Sequence, residues 1–281
     1  MRFASVNGRA KIVKNGKALD VCDASGGKFG PSAAAVYEQW PAFRAWAAQD
    51  TTDATEAFDP TTADSPTPTP RQVFGIGLNY QAHQIESGLP KPDFPLVFTK
   101  FPSSVAGAFG VVALPTDRVD WEVEAAVVIG TTAKDVKAAD AWSYVAGVTA
   151  AQDFSARDVQ LRPAGTPQFS LGKSFPGFTP MGPVLITTDE FENPDDIAVS
   201  CDLNGITMQS SSTADLIFSV GELIEYLSAI LPLLPGDVIL TGTPSGVGLG
   251  QTPNRFLNAN DEVVTRVADL VMKHSFSTAQ D

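Results

Sequence analysis

Two glutamates, Glu122 and Glu124, stand in a run over 119–129 that contains no proline or glycine and alternates at period two. Trp121, Val123, Ala125, Val127 and Ile129 fall on one face, and Asp120, Glu122 and Glu124 begin the other. Past Glu124 the second face turns apolar too, with Ala126 and Val128. The pattern predicts a strand entering a core with carboxylates at its mouth. Neighbouring carboxylates repel unless positive charge lies between them, and a divalent cation held by hard oxygen ligands removes that conflict. The third ligand is expected from Asp153, at the end of the strand-like run 147–153. Three carboxylates with no His or Cys pair beside them suit Mg²⁺ or Mn²⁺ rather than zinc. The alternative from spacing alone is two solvated strand acids and a turn aspartate.

His83 follows Gly75-Ile76-Gly77-Leu78-Asn79-Tyr80, a strand ending in a glycine-bearing turn, and lies three residues before Glu86. On a short helix the two share a face. A carboxylate beside an imidazole orients it and raises its basicity, which suits a general base. The chain holds only two histidines, and His274 lies near the C-terminus. A surface pair is the alternative. The third glycine and the flanking βαβ pattern of a dinucleotide fingerprint are missing. Lys100, Arg157 and Lys173 sit among apolar and small residues, where a cation can hold an anionic substrate or stabilise an enolate; solubilising charge is the alternative. The Gly/Thr-rich segment 240–248, containing Thr243, can offer backbone N–H groups and a hydroxyl to a ligand oxygen. It lacks the Gly-Lys-Ser/Thr of a phosphate loop.

These groups need a scaffold. Short strands are expected over 73–77, 96–100, 147–153, 183–187 and 238–241, with a hairpin turning at Asn204-Gly205. A helix begins after Ser219, whose spacing to Glu222 fits a capping box. Before them, 33–48 reads as a helix interrupted at Pro41, and 51–70, rich in Thr, Asp and Pro, reads as a linker that pairs no ladder. Irregular strands with few helices indicate an α+β, mainly β fold. The division is a small N-terminal domain with its linker, 1–70, and a catalytic domain, 71–281.

With 43% hydrophobic and 18% charged residues, the composition is that of an ordinary folded protein. A net charge of −13 argues against nucleic acid and anionic membranes as partners. Cys22 and Cys201 show no metal-binding spacing and read as free thiols in a reducing compartment. The N-terminus lacks the apolar block of a signal peptide, and no window reaches the roughly 18 apolar residues of a membrane span. A cytoplasmic location is expected.

In order along the chain, Gly75–Tyr80, Phe98-Thr99-Lys100, Val119–Glu124, Asp153–Asp158, Gly172–Phe175 and Pro235–Pro244 resemble motifs of the fumarylacetoacetate hydrolase family. The resemblance covers roughly 72–265. It implies a mixed β-sandwich roll with a divalent metal at its mouth, assembled as a homodimer. It implies that Glu122, Glu124 and Asp153 bind Mg²⁺ or Mn²⁺, that His83 and Glu86 activate water, and that Lys100, Arg157, Gln160, Lys173 and Thr243 line the pocket. The expected reaction is hydrolysis of a carbon–carbon bond in a small, anionic 2,4-diketo acid, releasing pyruvate, with Lys173 stabilising the enolate. The rivals are a decarboxylase, dehydratase or 2-oxo-acid isomerase on the same site, and a non-catalytic protein retaining the fold.

Overall fold

A computed structural model describes residues 1–162 and 165–278. The strand Val123–Ile129 is buried along its whole length and lies inside a large mixed sheet. It pairs antiparallel with Val145–Gln152 on one side, Val123 opposite Gln152, and with Val238–Leu240 on the other. Val73–Gly77 adds in parallel next to Val238–Leu240, followed by Leu96–Thr99. These neighbours bring the far ends of five separate segments to one edge of the sheet.

Both faces of this sheet are covered, which is why the strand reads apolar on both sides beyond Glu124. Val123, Ala125, Val127 and Ile129 join a core with Leu223, Ile224 and Leu227 of the helix Val220–Ile230, and with Val199, Val263 and Met272. The last three come from a second sheet in the order Ile206–Ser212, Ala198–Leu203, Glu262–Val267, Leu270–Thr278, Phe109–Leu114. Ala126 and Val128 instead meet Phe3, Val36, Tyr37, Trp40 and Phe43 of the N-terminal region. The expected capping box is present: Ser219 Oγ accepts from Glu222 N, and the Glu222 carboxylate accepts from Ser219 N.

Three local expectations are corrected. The run over 119–129 is two strands, Val119–Asp120 and Val123–Ile129. At Glu122 the backbone N–H is taken by the Gln152 side chain at 2.8 Å, so the ladder is broken there, and Val119–Asp120 pairs with Ser155–Ala156 instead. The helix over 33–48 breaks before Pro41, not at it. Ala33–Tyr37 ends, and Pro41 sits in the first turn of Trp40–Ala47, where its missing N–H leaves no bond unmade. The segment 51–70 does pair ladders: Glu56–Ala57 with Lys17–Ala18, and Ala63–Asp64 with Ser5–Val6. Ser65, Pro66 and Thr67 are buried, and Thr67 Oγ1 donates to Gly236 O at 2.8 Å. The N-terminal hairpin also continues the large sheet, since Arg2–Val6 pairs with Thr179–Ile186. Among the described residues no helix is long and apolar enough to cross a membrane.

Candidate active site

Where the ladder breaks, Glu122 and Glu124 leave the strand end beside Asp153, which terminates the neighbouring strand. One carboxylate oxygen from each of the three lies within 4.8 Å of the others, and all three residues are buried. Asp153 N donates to Glu122 O at 2.9 Å, fixing the two strand ends against each other. Asp120 does not join this cluster, although alternation put it on the same face. It accepts from the backbone N–H groups of Gly248 at 2.6 Å and Leu249 at 2.9 Å, and from Arg157 Nε at 2.8 Å.

Three buried cations answer these acids. Arg157 Nη2 lies 2.8 Å from Asp120 Oδ2 and 2.7 Å from Glu122 Oε1, while Nη1 donates to Gln160 Oε1 at 2.9 Å. Lys173 Nζ donates to Glu122 Oε2 at 2.8 Å, Asp153 Oδ2 at 2.7 Å and Ser155 Oγ at 2.7 Å. Gly172 permits this reach: a Cβ there would stand 2.6 Å from the Gln160 backbone. Lys100 was expected to line the pocket and does not. Its ammonium sits behind Asp153, contacting Asp153 Oδ1 and donating to Phe178 O at 2.8 Å.

The charges distribute unevenly. Burial opposes ionisation of Glu122, but Lys173 and Arg157 overcome it and hold the carboxyl down at about 2. Burial, then the like charges of Asp153 and Glu122, push Glu124 well above the ordinary carboxylate range. Its carboxylate accepts from Gly242 N at 2.7 Å. A buried all-oxygen cluster containing one under-compensated acid fits a hard divalent cation of the Mg²⁺ or Mn²⁺ kind.

His83 and Glu86 come from the helix Gln81–Ser87, which Gly88 stops in the left-handed region at φ +68°. His83 Nδ1 and Glu86 Oε2 are 2.9 Å apart, and Glu86 Oε1 accepts from Gly246 N at 2.9 Å. The Glu86 carboxyl also rests on Gly250, where a Cβ would stand only 2.5 Å from it. Both members of the pair open onto a cavity of about 290 Å³ that Glu122, Glu124, Arg157, Gln160, Lys173 and Thr243 also line. Thr243 Oγ1 accepts from Gln209 Nε2 at 2.7 Å, leaving its own proton for a ligand.

The Gly/Thr-rich segment expected to offer backbone N–H groups to a ligand oxygen offers several of them to side chains of the site instead. Through Gly246, Gly248 and Leu249 it holds Glu86 on one side and Asp120, with Arg157, on the other. The part that sequence reasoning left out is its continuation, Leu249-Gly250. Ser155 and Gln152, which hold Lys173 and the Glu122 backbone, carried no signal beyond their neighbours.

Three acids gathered at strand ends, with a His–Glu pair opening onto the same cavity, form a donor set suited to a metal ion beside a candidate base. Residues 72–274 match the family model described as the C-terminal region of fumarylacetoacetate hydrolase, and the chain belongs to that family of enzymes. It is 44% identical over 208 residues to the human mitochondrial protein named oxaloacetate tautomerase FAHD2A, a match covering 73% of this chain and 66% of that one. A structure of a candidate HpcE protein from Mycobacterium smegmatis superposes with a TM-score of 0.95 at 46% identity, covering 99% of this chain and 100% of that one. Maleylpyruvate hydrolase from Sphingobium sp. SYK-6, solved with manganese(II) and pyruvate, shares the fold with a TM-score of 0.81 at 24% identity, covering 99% of each chain.

Proposed function

We propose that this chain is a metal-dependent isomerase that interconverts the keto and enol forms of a small 2-oxo acid. The observation that carries the reading is the His83–Glu86 pair, 2.9 Å apart, opening onto the same cavity as the three-acid cluster. The tautomerase relatives support the reaction class, since 44% identity spans the segment that holds every one of these residues. Glu122, Glu124 and Asp153 would hold Mg²⁺ or Mn²⁺, which supplies Lewis acidity toward the 2-oxo acid oxygens. Arg157 and Gln160, which also line the cavity, orient the substrate carboxylate. His83, its Nδ1 fixed by Glu86, presents Nε2 to the carbon next to the ketone and carries the proton to or from it. Lys173 offsets negative charge growing on the ketone oxygen as that proton leaves.

A second reading uses the same residues for carbon–carbon bond hydrolysis of a 2,4-diketo acid. The cavity of about 290 Å³ is also lined by Leu89, Leu96 and Phe169, which this reading assigns to the acyl group. There His83 takes a proton from water, the hydroxide adds to the distal carbonyl, and the bond to the pyruvyl carbon breaks. One assay separates the two: Mn²⁺-loaded protein is given the enol forms of oxaloacetate and of phenylpyruvate and, separately, acylpyruvates. Enol decay without pyruvate release supports the isomerase, and stoichiometric pyruvate and carboxylic acid from acylpyruvates supports the hydrolase. Neither reaction above the metal-free blank overturns both. A homodimer is part of this proposal, expected as a species of twice 29.6 kDa in light scattering.

A further inference from the structure

Beyond the acid cluster the cavity changes character. Its outer arm is walled by Leu89, Leu96, Phe98, Leu161, Phe169 and Leu249. Phe98 and Phe169 stack with centroids 5.9 Å apart, and Lys173 Nζ lies 5.1 Å over the Phe98 ring at the junction of the two regions. Leu89, Leu96 and Leu161 remain 51%, 41% and 44% exposed, an apolar rim open to solvent. Exposed apolar surface continuous with a catalytic cavity marks a place where a ligand is to be buried.

The charges around the cavity leave none over for a second anionic group. Asp120, Glu122, Glu124 and Asp153 face three cations, Lys100, Arg157 and Lys173. A divalent ion would turn that deficit of one positive charge into a surplus of one, which the Glu86 carboxylate at the cavity wall already offsets. Both lining cations are already committed at the inner end, and the Glu86 carboxylate adds negative charge at the wall. Lys91 and Arg162 flank the mouth in sequence, but neither lines the cavity. A second carboxylate in the outer arm would be desolvated against leucine and phenylalanine with no partner.

We infer that the outer arm receives an uncharged apolar substituent, so that the preferred substrates are 2-oxo acids bearing an alkyl or aryl group rather than dicarboxylates. The inference rests on the 2-oxo acid reading above and is indifferent to whether the bond chemistry is isomerisation or hydrolysis. It also separates this chain from the reaction named for its tautomerase relatives, since oxaloacetate carries a second carboxylate.

Binding calorimetry on the Mn²⁺-loaded full chain tests it without turnover. The probes are pyruvate, 2-oxobutanoate, 2-oxopentanoate and 2-oxohexanoate, and the shape-matched pair 2-oxoglutarate and 5-methyl-2-oxohexanoate. Affinity is expected to rise roughly fourfold per added methylene, as burial of each CH₂ requires. The branched alkyl acid should bind at least tenfold tighter than 2-oxoglutarate. Phe98→Ala should flatten the chain-length series, and Leu89→Ser, at the exposed rim where folding is not at stake, should lower its slope at the longest chains. If 2-oxoglutarate binds as tightly as its alkyl counterpart, or the series is flat in the parent protein, the apolar arm is refuted while the 2-oxo acid site stands. If pyruvate itself fails to bind, the 2-oxo acid reading falls and takes this inference with it.

Discussion

Gly250 is a residue with no side chain on which the proposed base depends. It lies in the short turn Gly248–Gly250, and no left-handed φ is required of it, so alanine suits its backbone. A Cβ added there would stand 2.5 Å from the Glu86 Cδ and Oε1, whereas ordinary contact begins at 3.4 Å. The carboxyl must therefore retreat by about 0.9 Å, the difference of those two distances. Glu86 is the tip of a flexible side chain, so the fold absorbs the change, but the retreat stretches its 2.9 Å bonds to His83 Nδ1 and Gly246 N. A misplacement near 1 Å in a catalytic constellation costs up to roughly 100-fold in rate. Gly250→Ala is thus expected to lower kcat by roughly 10- to 100-fold. The melting temperature should stay within a few degrees, and the Mn²⁺-induced stabilisation should be unchanged. Because the two changes act through one contact, Gly250→Ala combined with Glu86→Gln should be no slower than the slower single variant. Steady-state kinetics beside thermal melts with and without Mn²⁺ measure all of this. A Gly250→Ala enzyme within twofold of the parent kcat would refute the claim that Glu86 positions His83.

Other outcomes follow from the same geometry. His83→Gln should lower kcat by roughly 10²- to 10⁴-fold, the range of a lost general base, with Mn²⁺ affinity by calorimetry unaltered; full activity with metal bound removes the assigned base. Lys173→Met takes away an ammonium that shares oxygens of Glu122 and Asp153 with any bound cation, so Mn²⁺ should bind more tightly while turnover falls. Weaker Mn²⁺ binding would contradict that competition. His274 is buried, its Nδ1 has no partner among the described residues, and burial lowers its pKa from the ordinary 6.5 to about 4. The unfolded chain therefore binds a proton that the folded chain refuses between those values, and stability is lost as pH falls through that window. From pH 7 to pH 5 this loss is about 2 kcal/mol, and His274→Met should remove it in urea melts; parallel pH profiles for the two proteins would exclude His274 as the cause.

The acids at 122, 124 and 153, the histidine–glutamate spacing and the helix after Ser219 were legible because each depends on local periodicity or on residue chemistry within a few positions. Period-two alternation also gave both buried faces of Val123–Ile129, since a strand covered on two sides must read apolar on both. Alternation could not say where the ladder stops, because the Gln152 side chain that takes the Glu122 N–H comes from another strand. Nor could it tell that Asp120 turns to Arg157 and Gly248, or that Lys100 lies beneath Asp153 instead of facing the cavity. Composition marked 51–70 as unable to pair, yet two-residue ladders formed there because neighbouring strands offered open edges. Residue types and their short-range spacing thus fixed which groups could do chemistry. Which of them share a cavity, which carboxyl is left without a counter-charge, and where the apolar arm begins were decided by contacts between segments tens to hundreds of residues apart, which the order of a chain does not encode locally.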